Sequence, residues 1–66
     1  YTVNYLEKDN TDNVLHEAKV VNTATFEEVI NASDEVIDID GYTFDSVNME
    51  NLKITGHGNI INVYYK

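Results

Sequence analysis

TFEEVINA, residues Thr25–Ala32, is the only segment of this sequence with the start signal and the spacing of a helix. Thr25 and Glu28 form a capping-box pair, in which the hydroxyl accepts from the Glu28 amide and the carboxylate accepts from the Thr25 amide. The apolar positions have the i, i+3, i+4 spacing of one helix face, and they are Phe26, Val29 and Ile30. The segment therefore predicts a helix of about two turns. A helix this short is marginal alone and needs a sheet to pack against.

The residues before this segment alternate between apolar and polar with a period of two, which predicts strands. We expect a first strand at Tyr1–Leu6 and a second at Val14–Val21. The turn-forming residues Glu7–Asn13 join them as a β-hairpin with a longish loop. The second strand has blurred alternation and several charges, which indicates a position at the edge of the sheet.

The period of two returns after the helix. We expect an extended segment at Val36–Ile39, and then strands at Tyr42–Val47, Leu52–Thr55 and Asn59–Tyr65. The last two strands flank Gly56-His57-Gly58, which predicts a tight hairpin because glycine adopts positive φ at little cost.

The resulting order, β-β-α-β-β-β, predicts an α+β domain in which a mixed sheet packs on one short helix. Parallel pairing of the first and last strands would make this arrangement a β-grasp, with the helix on one face of the sheet. The opposite face would then be exposed to solvent. The expected core consists of Val3, Tyr5, Ile61, Val63 and Tyr65 from the sheet with Phe26, Val29 and Ile30 from the helix.

The length and composition limit both the architecture and the class of partner. The 66 residues form one domain at most, residues 1–66, and the absence of cysteine excludes disulfides and thiol chemistry. The net charge of −8 argues against nucleic acid and anionic membranes as partners. No apolar run approaches the ~20 residues of a membrane span. We expect one module of a longer polypeptide.

Three motifs resemble the mucin-binding protein (MucBP) repeats of Gram-positive surface adhesins. They are TVNYLEKD at residues 2–9, IDGYTF at residues 39–44 and NVYYK at residues 62–66. Their order and spacing match that family over nearly the whole chain. The matching residues are Val3, Tyr5, Gly41, Tyr42, Val63, Tyr65 and Lys66.

The sequence also departs from the family pattern. Family members usually have glycines where this chain has Asp9–Asn13 and Asn22-Thr23, and many have proline in place of Asp40. The resemblance implies a ubiquitin-like β-grasp, tandem repetition in an extracellular, wall-anchored protein of a Gram-positive bacterium, and adhesion to host mucin or other glycans. The internalin-type B repeat is similar enough in layout to remain an alternative family.

No catalytic or metal-binding set is visible. His16 and His57 lack a second ligand at metal spacing, and Ser33 and Ser46 lack a nucleophile elbow. An EF-hand loop that began at the acidic segment Asp9–Asn13 would require glycine at its sixth position and glutamate at its twelfth, where this chain has Val14 and Val20, so turn formation explains the segment. We predict no enzyme activity, no cofactor and no metal. We also predict no amide cross-link from Lys8, Lys19 or Lys53 to Asn4 or Asn62.

The solvent-exposed sheet face is the candidate binding site. If the first and last strands are neighbours, Thr2, Asn4 and Leu6 stand beside Ile60, Asn62 and Tyr64, and we call these six residues the outer face. Amides can bind sugar hydroxyls and an aromatic ring can stack on an apolar sugar surface. We therefore predict ligand contacts by Asn4, Leu6, Ile60, Asn62 and Tyr64. The alternatives are an ordinary sheet surface and a contact with the next repeat.

Two functions are compatible with these features. The first is a non-enzymatic adhesin module that binds host glycoprotein glycans weakly and multivalently. The second is a structural spacer that presents a distal binding domain. In both, adjacent repeats of the same chain are expected partners.

Overall fold

The computed structural model describes all 66 residues as a small mixed-sheet domain with one short 3₁₀ helix. The structure contains no helix of the length and apolarity that crossing a membrane requires. The elements in chain order are β1 (Thr2–Glu7), β2 (Asn10–Val20), β3 (Val29–Asn31), the 3₁₀ helix (Ala32–Glu35), β4 (Phe44–Val47), β5 (Asn51–Lys53) and β6 (Ile60–Tyr65).

The main sheet has four strands in the order β2-β1-β6-β4. The central pair β1/β6 is parallel, and β2 and β4 lie antiparallel on either side. This order confirms the predicted parallel pairing of the first and last strands, and it places β2 at an edge. Strands β3 and β5 form a separate antiparallel ribbon.

The predicted helix at Thr25–Ala32 is wrong. Thr25 to Glu28 forms a tight turn, in which the Glu28 amide donates to the Thr25 carbonyl at 2.9 Å. The Glu28 carboxylate does accept from the Thr25 amide at 2.9 Å, so one half of the capping box exists. Glu27 has a φ of 69°, as expected at the third position of a type II turn, and this conformation prevents an α-helix there.

Strand pairing takes the place of the helix after this turn. Ile30 lies opposite Leu52 in the ribbon and is half-buried against the core. Phe26 and Val29 are 67% and 56% exposed, so the core role predicted for them is wrong. The β-branched pair Val29-Ile30 has a higher propensity for a strand than for a helix, and the backbone hydrogen bonds available from β5 also favour the strand.

The predicted hairpin around Gly56-His57-Gly58 is also wrong, because β5 pairs with β3 and not with β6. The Asn59 side chain closes this loop. It accepts from the Thr55 amide at 2.8 Å and donates to the Thr55 carbonyl at 2.8 Å, so it imitates a paired strand residue. Gly58 has the expected positive φ of 74°.

The inner face of the main sheet carries the core, and the core role predicted for the sheet residues is confirmed. Val3, Tyr5, Ile61, Val63 and Tyr65 are each at most 2% exposed. The opposite wall of the core comes from the ribbon, the following segment and the 3₁₀ helix, and it consists of Leu52, Ile54 and Ala32. No α-helix covers the sheet.

Several strand limits differ from the expected ones. The first hairpin has a two-residue loop, since Glu7 is already paired with Asn10. Strand β4 begins at Phe44, and Val36–Ile39 forms no regular element. Register shifts along β1/β2 explain why the alternation in β2 is blurred.

Candidate binding face

The outer face is formed by the parallel pairing of β1 with β6. The register places Thr2 beside Ile60, Asn4 beside Asn62, and Leu6 beside Tyr64. All six residues predicted from the sequence therefore lie on one continuous surface. Ile60 is 44% exposed and the other five are half-buried.

An amide pair occupies the centre of the outer face. Asn4 Nδ2 donates to Asn62 Oδ1 at 3.0 Å, which fixes both side chains across the two central strands. Asn4 Oδ1 and Asn62 Nδ2 have no hydrogen bond within the protein. One acceptor and one donor therefore stand next to each other, an arrangement that matches the acceptor and donor character of sugar hydroxyls.

Two rows made mostly of apolar side chains lie on either side of the amide pair. Val14 lies opposite Leu6, which neighbours Tyr64, so one row crosses β2, β1 and β6. The other row is Val20, Thr2 and Ile60. Sequence reasoning missed Val14 and Val20, which are 61% and 60% exposed, because the register shifts conceal which residues of β2 share a face.

Asn48 extends the sheet beside this surface. Its side-chain Oδ1 accepts from the backbone N–H of Asn62 at 2.8 Å, and its backbone N–H donates to the backbone carbonyl of Asn62 at 3.0 Å. The backbone of Asn62 is therefore fully occupied, and only its side chain is available to a ligand.

A buried carboxylate lies on the inner side of the sheet. Glu35 is 7% exposed and accepts from Lys19 Nζ at 2.7 and 3.1 Å and from the Tyr1 hydroxyl at 3.1 Å. The hydrogen bond from Lys19 to Glu35 raises the pKa of that lysine. Burial and then the hydrogen bond to Glu35 raise the pKa of Tyr1, and burial and the charge of Glu35 raise the pKa of Tyr5. This cluster ties Tyr1, which precedes β1, and the strand β2 to the 3₁₀ helix.

A second cluster of charges closes the end of the sheet. Asp45 lies at the register shift in β4, where Lys8 and Lys66 approach its Oδ1 at 3.4 and 3.5 Å. The Ser46 hydroxyl donates to its Oδ2 at 2.7 Å. These contacts, with the Ser46 hydrogen bond first, lower the pKa of Asp45.

The histidines and lysines that were considered as candidate site residues form no binding site with one another. The His16 ring packs edge-on against Tyr5 with centroids 5.4 Å apart, and His57 lies exposed in the loop after β5. No three His, Asp or Glu side chains lie close enough together to hold a metal ion. None of the lysines forms a hydrogen bond with Asn4 or Asn62. Lys53 Nζ lies 3.9 Å from Glu27 Oε1.

Comparison of the chain with protein-family models, with curated proteins and with solved structures found no significant match.

Proposed function

We propose that this chain is a non-enzymatic adhesin module that binds host mucin or other glycoprotein glycans weakly through the outer face. It acts as one of several repeats in an extracellular, wall-anchored surface protein of a Gram-positive bacterium. Its partners are the glycans and the adjacent repeats of its own chain.

The amide pair at the centre of the outer face is the observation that carries this proposal. Asn4 and Asn62 leave one free acceptor and one free donor side by side. Leu6 and Tyr64 form the next pair along the two strands on the same face. Sugar rings combine hydroxyls with apolar C–H surfaces, so a protein surface that combines amides with an aromatic ring and an aliphatic side chain suits them.

The strand order supports a more specific proposal for the fold. A central parallel pair of terminal strands with antiparallel strands on both sides is the sheet that the family resemblance implies. We propose a β-grasp variant in which the ribbon β3/β5 and the 3₁₀ helix cover the core in place of an α-helix.

The outer face has no pocket, which fits weak, multivalent attachment. The single open pocket of the domain lies elsewhere, so a glycan on the outer face would keep much of its surface in water. Repetition of the module raises the overall affinity by roughly 10²-fold or more when a tether allows simultaneous contacts.

Binding of the purified domain to immobilised mucin tests the proposal. The domain is measured alone and as a two-module chain, on mucin with its glycans present and with its glycans removed. We expect glycan-dependent binding that strengthens sharply in the two-module chain. The double variant Asn62→Ala/Tyr64→Ala should weaken it by about tenfold or more, because the free donor and the ring are both lost.

The matched control is Asn22→Ala/Phe26→Ala, which removes the same kinds of group at exposed positions away from the outer face. Its binding should equal that of the parent. Equal binding by parent and Asn62→Ala/Tyr64→Ala would eliminate the outer face as the site.

The shape of the domain favours a structural spacer as the second candidate. Its extents are 35 × 17 × 17 Å, and parallel pairing of β1 and β6 puts residues 1 and 66 toward opposite ends of the sheet. Modules joined in this way would extend end to end. A spacer binds no mucin in either form, and small-angle scattering of the two-module chain would show a rod about twice as long as one module.

A further inference from the structure

An open pocket of about 380 Å³ lies between β4 and the end of the ribbon, on the inner side of the sheet. A pocket of this size is at the small end of the range for ligand sites, so it suits one side chain or one small group. The residues that line it are Asn31, Ser33, Phe44, Val47, Glu50 and Asn51.

Two side chains of β4 form its apolar wall. Phe44 and Val47 lie opposite Tyr65 and Val63, whose side chains belong to the core. The Phe44 ring meets Tyr65 edge-on with centroids 6.4 Å apart, and 43% of Phe44 remains exposed. An aromatic ring is thus held in a fixed orientation with much of its surface open to solvent.

The other side chains of the lining are polar and have no hydrogen bond within the protein. Asn31 and Asn51 are cross-strand partners in the ribbon, which places their amides next to each other. Ser33 adds a hydroxyl, and Glu50 adds the single charge of the lining. Oxygen acceptors therefore share the lining of the pocket with the Phe44 ring, and no basic residue lines the pocket.

We propose that this pocket binds an arginine side chain of a partner protein. A guanidinium presents five N–H donors in a planar fork, which can meet the Glu50 carboxylate and the amide oxygens of Asn31 and Asn51. Its flat surface can stack on the Phe44 ring.

The net charge of the domain also favours a cationic ligand such as arginine. The net charge of −8 attracts cations and repels anionic groups, so a phosphate, a sulfate or a sialic acid is disfavoured at Glu50. A lysine ammonium would satisfy the carboxylate but makes fewer donors available to the two amides. This inference is independent of glycan binding, because the outer face lies on the other side of the sheet.

Backbone NMR titration with acetyl-arginine amide tests the proposal. Acetyl-citrulline amide has nearly the same shape without the charge and is the matched ligand. We expect shifts centred on Phe44, Glu50 and Asn51, a Kd on the order of millimolar, and binding at least about fivefold weaker for citrulline. Added salt should weaken the arginine binding.

Glu50→Gln should weaken arginine binding by about fivefold, and Phe44→Leu should weaken it while keeping an apolar wall. Glu50 is exposed and its side chain has no partner, so this variant should fold like the parent. The control Glu17→Gln removes an exposed carboxylate from β2 and should change nothing.

Three results would overturn the proposal: equal shifts with arginine and citrulline, shifts spread over all acidic residues and unaffected by Glu50→Gln, or a methyl glycoside that binds the pocket in preference to arginine.

Discussion

Lys19 Nζ lies 2.7 Å from Glu35 Oε2, and this contact joins the edge strand β2 to the 3₁₀ helix. Lys19 is opposite Val3 in the register, so its side chain projects toward the inner side of the sheet. An inward-pointing charge on an edge strand also discourages edge-to-edge association with other chains.

Glu35→Gln should lower the free energy of unfolding by about 1–2 kcal/mol, because it removes the negative charge opposite Lys19 and replaces one of the two oxygens that accept from Nζ with an NH2 donor. Half of Lys19 is exposed, which keeps the loss moderate. The control is Asp34→Asn, an exposed neighbour in the same helix, which should stay within about 0.5 kcal/mol of the parent. Urea denaturation measures the free energy of unfolding of both variants. Equal values for Glu35→Gln and the parent would show that the buried contact does not stabilise the fold.

Glu27→Gly should raise the free energy of unfolding by about 0.5–1 kcal/mol. Glu27 has a φ of 69°, a conformation that is costly for a residue with a Cβ and easy for glycine. Glu28→Gly is the comparison, and it should destabilise because the carboxylate that accepts from the Thr25 amide is lost. If this segment were helical, glycine would destabilise at both positions by about 1 kcal/mol.

Ile61→Val should lower the free energy of unfolding by about 0.5–1.5 kcal/mol, and Ile60→Val should be nearly neutral. Ile61 is completely buried and Ile60 is 44% exposed, although they are adjacent in β6. Thermal denaturation of the two variants compares the same substitution on opposite faces of one strand. Similar effects at both positions would mean that the outer face is not exposed to solvent.

Asp45→Asn should destabilise the domain near neutral pH but not in strong acid. The folded pKa of Asp45 is lowered, first by the Ser46 hydroxyl and then by Lys8, relative to the ordinary value of 3.8. The stabilisation that Asp45 gives the folded state is therefore present above about pH 3.8, and it disappears as the pH falls through the lower folded pKa. Melting temperatures of parent and variant between pH 2 and 7 should converge at the acid end. Asp9→Asn, an exposed aspartate in the first turn, should show no such convergence.

The stability of the domain should fall as the pH rises above about 10. The ordinary pKa values are 10.0 for tyrosine and 10.5 for lysine, and the folded values for Tyr1, Tyr5 and Lys19 are all raised. The contributions of these three groups to folded-state stability are complete below their ordinary pKa values. They are lost as the pH rises through the raised pKa values of the folded state. Denaturation between pH 8 and 12 measures this decline, which should be shallower in Glu35→Gln. A constant stability across that range would exclude the effect.

Part of the candidate site was predictable because it depends on local alternation. The residues at positions 2, 4 and 6 and at positions 60, 62 and 64 share parity within their own strands, so one correct pairing of β1 with β6 brings all of them together. Val14 and Val20 were not predictable, since β2 shifts register against β1. The pocket beside Phe44 depends on the ribbon, which no local pattern indicated.

The sequence by itself determined the two central strands and their buried and exposed sides, because a period of two fixes which side chains can share a face. The charges of β2 indicated its edge position. Only the tertiary structure decided the state of residues 25–32. The capping-box pair and the apolar spacing of this short segment fit a helix, whereas its three β-branched residues favour a strand, and the backbone partners in β5 and the turn at Glu27 select the strand. The same applies to Glu35 and Lys19, which are distant in the sequence, so only the packed fold brings the carboxylate to the ammonium group.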